Sequence, residues 1–313
     1  MKLGISVTNF SWPGPATELG PKVARIARSA DQAGVDSLWT MDHFFQIRLS
    51  GEPPEAPMLE SYATLSYMAG LTQHARLGVT VTSVAYRHPA VLIKSVTSLD
   101  VLTGGRVTLG VGAGAPWDLP PPGYSTTDFE AYGLGIPFPS LAERFERLEE
   151  ALQIAHHMWR GDETPFVGRH YQLPRPINSP NAVQRPHPPI LVGGSGERKT
   201  LRLVAQYGDA CNLFDLPGSA YRSDNLAHKL SVLRRHCDDA GRDYNEIEKT
   251  VASFVDLGDD GEAGMKGWLD HLADLAGLGI DHVIVAPRGP WDDASLDAVC
   301  SAVPEVHAIP VGA

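Results

Sequence analysis

Asp42 and His43 stand side by side just past a short apolar run, Val35–Thr40. An imidazole at a strand exit can donate or accept a proton near neutral pH, although it can also simply cap a loop. His88, directly before Pro89, has a comparable position, whereas His156 and His157 fall inside an amphipathic stretch beside Met158 and Trp159, where packing or surface exposure accounts for them. Two glycine-rich turns follow other apolar runs: Gly112-Ala113-Gly114, and Gly193-Gly194-Ser195-Gly196 ahead of Glu197-Arg198-Lys199-Thr200. Bare amides at a helix start, with Thr200 in the first turn, suit a phosphate; a tight turn with a solvated Arg-Lys pair is the plainer reading.

Other chemistries lack their residues. A metal-dependent barrel hydrolase would end its first strand with His-x-His, but Ser6, Val7 and Thr8 stand there, so no metal is expected. The Gly-x-Ser-x-Gly elbow of serine hydrolases is absent. A glycosidase needs two carboxylates at the rim, where most strand ends here carry glycine or hydroxyl residues. A rim poor in acids and rich in glycine points to a large planar cofactor bearing a phosphate, or to a barrel that binds such a ligand without turnover.

The elements that position these residues alternate short apolar runs with longer amphipathic ones. Strands are expected at Leu3–Thr8, Val35–Thr40, Ala75–Thr82, Arg106–Gly112, Ile190–Val192, Asp209–Leu213, Lys249–Val255 and Asp281–Ala286. Helical spacing covers Glu18–Ala33, Ala90–Leu102, Ser140–Trp159, Arg198–Tyr207, Asn225–Ala240, Glu262–Leu278 and Ser295–Ala302. Alternation implies parallel pairing, and eight units in one domain over 1–313 imply an α/β fold, the (β/α)8 TIM barrel. An open doubly wound sheet competes, but it usually carries Gly-x-Gly-x-x-Gly after its first strand, where Asn9-Phe10-Ser11-Trp12-Pro13 is found. Insertions follow strand two (Phe44–Glu60), strand four (Ala115–Pro139) and helix four (Gly161–Pro189). The first two fall at the C-terminal rim, where barrel enzymes build their sites; the third reads as a structural strap.

Composition narrows the partners. The 313 residues carry a net charge of −11 with no basic stretch, which disfavours nucleic acid and anionic membranes. Three scattered cysteines suit a reducing cytoplasm rather than a disulfide framework. No apolar run approaches the roughly 18 residues of a membrane span, and the N-terminus lacks the apolar core of a signal peptide.

Four stretches, taken together and in order, carry a resemblance: GVDSLWTMDHFF (34–45), ARLGVTVTSVAYRHPAVLIKSVTSLDVLTGGRVTLGVGAG (75–114), IPFPSLAERFERLEEAL (136–152) and PPILVGGSGERKTLRLVAQYGDACNLF (188–214). They resemble the luciferase-like monooxygenase superfamily, in its branch of coenzyme F420-dependent oxidoreductases. The resemblance implies that His43 lies beside a deazaflavin ring, accompanied by Asp42. It also implies a non-proline cis peptide at Thr80–Val81 behind the ring, Gly112, Ala113 and Gly114 along the ring's edge, and Gly193, Gly194, Ser195, Gly196 and Thr200 around the phosphate.

Departures refine this. Many FMN-binding relatives carry an arginine for the FMN phosphate where Ala113 stands, which turns the choice toward F420, with FMN as the alternative. F420-dependent glucose-6-phosphate dehydrogenases carry an acid where Ala115 stands and a tryptophan where Ile47 stands; neither is present. The expectation is hydride transfer between F420 and a small organic substrate, with His43 catalytic and Trp12, Trp117, Trp291 and Arg288 as candidate substrate contacts. Core packing would equally account for each tryptophan, and a solvated surface position for the arginine. The family also implies a homodimer, and a flavin reductase partner only for an FMN enzyme.

Overall fold

A computed structural model of the chain describes residues 1–47, 51–114, 126–215, 225–255, 257 and 262–312. Eight parallel strands form its barrel: β1 (Lys2–Val7), β2 (Ser37–Thr40), β3 (Arg76–Val79), β4 (Val107–Gly112), β5 (Ile190–Gly193), β6 (Ala210–Asp215), β7 (Glu248–Phe254) and β8 (His282–Ala286). Each pairs with its sequence neighbour, and β1 pairs with β8 (Leu3 opposite Val283), so the sheet closes. The pairing of β3 with β4 is brief, and a two-residue strand at Thr82–Ser83 continues it beside Val111 and Gly112.

Eight helices surround the barrel: α1 (Leu19–Ala33), α2 (Ser61–Ala69), α3 (Pro89–Thr103), α4 (Leu141–Trp159), α5 (Thr200–Tyr207), α6 (Leu226–Ala240), α7 (Glu262–Gly277) and α8 (Asp293–Ser301). The (β/α)8 expectation is met. In α1, Val23, Ile26, Ala27 and Ala30 recur at helical spacing and are buried, and Gly34 ends the helix at φ 82°, a left-handed position that glycine takes without a Cβ clash. Among the described residues three α-helices were not foreseen: α2, a helix at Thr126–Gly133 within the insertion after β4, and a terminal helix at Val303–Ala308.

The main core lies between barrel and helices, where outward residues such as Leu3, Ile5, Leu77, Leu109 and Val192 are fully or almost fully buried. Inside the barrel a smaller cluster, Trp39, Leu191, Ala210 and Ile284 with Val81 against it, makes a plug. Toward the strands' N-terminal ends the filling is polar. Ser37 Oγ accepts from Trp39 Nε1 at 2.6 Å and meets His282 Nε2 at 2.8 Å, while Glu248 bonds Lys2.

The segment after α4 is tied down by its own contacts. It carries an antiparallel hairpin (Phe166–Val167 with Gln172–Leu173), and buried Glu150 accepts the amides of Arg169, His170 and Tyr171. Tyr171 also packs edge-on against His88, which caps α3.

Candidate active site at the C-terminal mouth

The loop after β2 is held from three directions. Asp42, 4% exposed, accepts from Ser61 Oγ on α2 at 2.7 Å, from the Ser83 amide beyond β3 at 3.0 Å, and from Arg87 Nη1 at 2.8 and 2.6 Å. Arg87 also bonds Glu60, and its guanidinium lies 5.0 Å from the Tyr62 ring and 5.8 Å from that of Phe44. With both oxygens occupied, Asp42 is a strut between loops rather than a free acid; the sequence had placed it among the cofactor contacts. Burial raises the Tyr62 phenol, which therefore stays neutral and bonded to Thr82.

His43 is poised differently. Its Nδ1 lies 3.0 Å from Oε2 of Glu130, a residue of the helix Thr126–Gly133 with no side-chain exposure. Burial alone would lower the imidazole's affinity for a proton. The Glu130 hydrogen bond and charge, with the charge of Asp42, outweigh burial and hold His43 above its ordinary value.

The Thr80–Val81 peptide is cis, at the position the resemblance implied. The Val81 side chain turns inward and fills the space beside two strand-end glycines. A Cβ on Gly193 would lie 2.5 Å from Val81 Cγ1, and one on Gly112 would lie 2.8 Å from Cγ2. These glycines were expected to approach a cofactor; what the fold demands of them is room for Val81. Ala113 is 8% exposed, and Gly114 adopts φ 80°.

After β5, Gly194 takes φ 117° and donates to Asn212 O at 3.0 Å, turning the chain toward α5. Thr200 begins that helix, and a Cβ on Gly196 would meet its Oγ1 at 2.8 Å. The turn is thus a small-residue cradle around a hydroxyl at a helix N-terminus, and Ser195 beside it is partly exposed. Arg198 and Lys199 are exposed at its edge.

Three of the four candidate substrate residues can be placed. Trp291 belongs to the core at 3% exposure and donates to Ser6 O. Trp12 is partly exposed and donates to Trp291 O, and Arg288 is exposed over the Phe254 ring at 4.8 Å. Trp117 and Ala115 lie outside the described residues. The sequence reading missed Glu130, Tyr86, Arg87 and Glu60. Tyr86-Arg87-His88-Pro89 just beyond β3 could have flagged rim residues, but nothing local marks Glu130.

Among the described residues no cluster of three metal-ligating side chains occurs, and no helix is long and apolar enough to cross a membrane.

Residues 1–294 match the family described as luciferase-like monooxygenase, and the chain belongs to that family. It is 28% identical to an F420-dependent glucose-6-phosphate dehydrogenase of Nakamurella multipartita, over 82% of this chain and 70% of that protein. Among solved structures, a monooxygenase from Streptomyces bottropensis superposes with TM-score 0.78 at 19% identity, covering 98% of both chains. An F420-dependent secondary alcohol dehydrogenase bound to an F420–acetone adduct superposes with TM-score 0.77 at 17% identity, covering 97% of this chain and 98% of that one.

Proposed function

We propose that the protein is a coenzyme F420-dependent oxidoreductase that passes a hydride between the deazaflavin and a small organic substrate. The observation that carries the reading is the presence, at strand ends of one barrel, of a histidine held by a buried carboxylate and a small-residue turn around Thr200. The curated relatives' F420 dependence supports it.

The residues fit the group. Gly194, Ser195, Gly196 and Thr200 would hold its phosphate, because a side chain at Gly196 would crowd the Thr200 hydroxyl. Val81 would back the ring, with Gly112, Ala113 and Gly114 near its edge. When bound, F420 supplies hydride donation and acceptance. His43 would hold or move the proton that accompanies the hydride, and the Asp42–Arg87 strut keeps its loop in place.

A homodimer and a cytoplasmic location belong to the same reading; the latter is supported by three free cysteines, two of them buried. The deciding experiment measures F420 and FMN affinity side by side on the purified chain. Micromolar or tighter F420 binding is expected. FMN binding without F420 binding would make the chain a flavin monooxygenase needing a reductase partner, and binding of neither would leave a non-catalytic barrel.

A further inference from the structure

Three donors and the His43 imidazole converge on the two oxygens of buried Glu130. Oε1 accepts the Phe44 and Phe45 amides, each at 2.9 Å. Oε2 accepts the Tyr86 hydroxyl at 2.6 Å and faces His43 Nδ1 at 3.0 Å. With two amides and a hydroxyl already donating to its two oxygens, the arrangement suits the carboxylate. Opposite a carboxylate, Nδ1 must carry hydrogen. Nε2 is then the nitrogen left over, and no described residue bonds it.

The charges around the ring come from every side. His43's own loop presents Asp42, which is matched by Arg87; Arg87 in turn also meets Glu60 from the start of α2. The loop after β3 presents Tyr86, and the insertion helix presents Glu130. Glu130 is therefore the one carboxylate among these without a guanidinium partner, and it is the one that touches the imidazole. It reaches His43 across 87 residues of chain, from a segment unrelated to the loop that carries the histidine.

We propose that Glu130 is the positioning residue that fixes the Nδ1–H form of His43 and makes Nε2 the proton-transfer atom of this site. The inference rests on the hydride-transfer reading, which gives that proton its use. In the reductive direction Nε2–H gives its proton to the substrate atom that gains the electron pair, leaving the imidazole neutral with hydrogen on Nδ1. In the oxidative direction Nε2 takes that proton back.

The test needs neither cofactor nor substrate. Nitrogen-15 shifts of labelled histidines, with the His43 signal assigned by its loss in His43→Gln, report both tautomer and titration in the free protein. The wild type should show hydrogen on Nδ1 above its titration midpoint. Glu130→Gln should lower that midpoint by about one unit, a tenfold change in proton affinity. Tyr86→Phe, which frees Oε2 from a competing donor, should raise it. Hydrogen on Nε2 in the wild type, or a midpoint unmoved in both variants, would overturn the proposal. If Glu130→Gln does not fold, Tyr86→Phe and the wild-type tautomer decide alone. Failure of the wild type to bind F420 would remove the hydride-transfer reading but leave the measured tautomer intact, so the two are separable.

Discussion

The side chain of Val81 occupies the volume that a Cβ on Gly193 would require, with 2.5 Å between that position and Cγ1. The inward bulge after β3 and the bare end of β5 are therefore one packing unit. Gly193→Ala should overpack it, at a cost of about 1–3 kcal/mol. Val81→Ala in the same chain should recover much of the loss. Thermal melts of the two single variants and the double variant form the cycle, and additive losses would show that the contact is not the cause.

Thr200→Val keeps the shape of the side chain at the start of α5 and deletes its hydroxyl. F420 affinity should fall about tenfold, or about 1.4 kcal/mol, with an unchanged melt. Gly194→Asp is a poorer probe, because φ 117° strains any side chain there. Calorimetric titration that gives equal affinities for Thr200→Val and wild type would leave the turn without a phosphate.

His43→Ala should reduce kcat by roughly 10²–10⁴, the usual loss for a general acid or base, while F420 affinity changes by less than tenfold. His43→Gln should restore part of the rate if hydrogen bonding dominates and little if proton transfer does. Screening enones, imines and simple alcohols with reduced or oxidised F420 supplies the substrate. Full turnover in His43→Ala would return the residue to the scaffold.

Acid stability should report on the polar end of the barrel. Burial alone would raise the Glu248 carboxyl, but hydrogen bonds and charge from His282 and Lys2 outweigh it and bring it down to about 2. A carboxyl depressed on folding stabilises the native state above its ordinary 4.5, and that contribution fades as pH falls from there toward 2. Glu248→Gln should melt lower than wild type at pH 5 and lose less on acidification. Parallel melting curves across this window would contradict the assignment.

The barrel was legible because its strands read as short, largely apolar runs between amphipathic stretches, while α1, α3 and α6 stop at Gly34, Gly104 and Gly241, all at positive φ. Helix α2 escaped because SYATLSYMA mixes apolar and hydroxyl residues without a clear polar face and follows a proline-rich run. The positions of His43 and the Thr200 turn were legible because each sits beside its strand end. Glu130 was not, since its meaning comes wholly from a contact made through the fold. Trp291 misled because a rim tryptophan and a core tryptophan have the same sequence signature.

The partnership of His43 with Glu130 also bears on how such a barrel can diversify. The histidine rides on a short loop pinned by Asp42, while its carboxylate arrives on the helix Thr126–Gly133, within the insertion after β4. Exchanging that insertion therefore also exchanges the acid that meets the histidine, in a single genetic event. A loop graft meant only to widen specificity would have to bring its own acid, or the recipient would inherit a new pocket with an untuned imidazole.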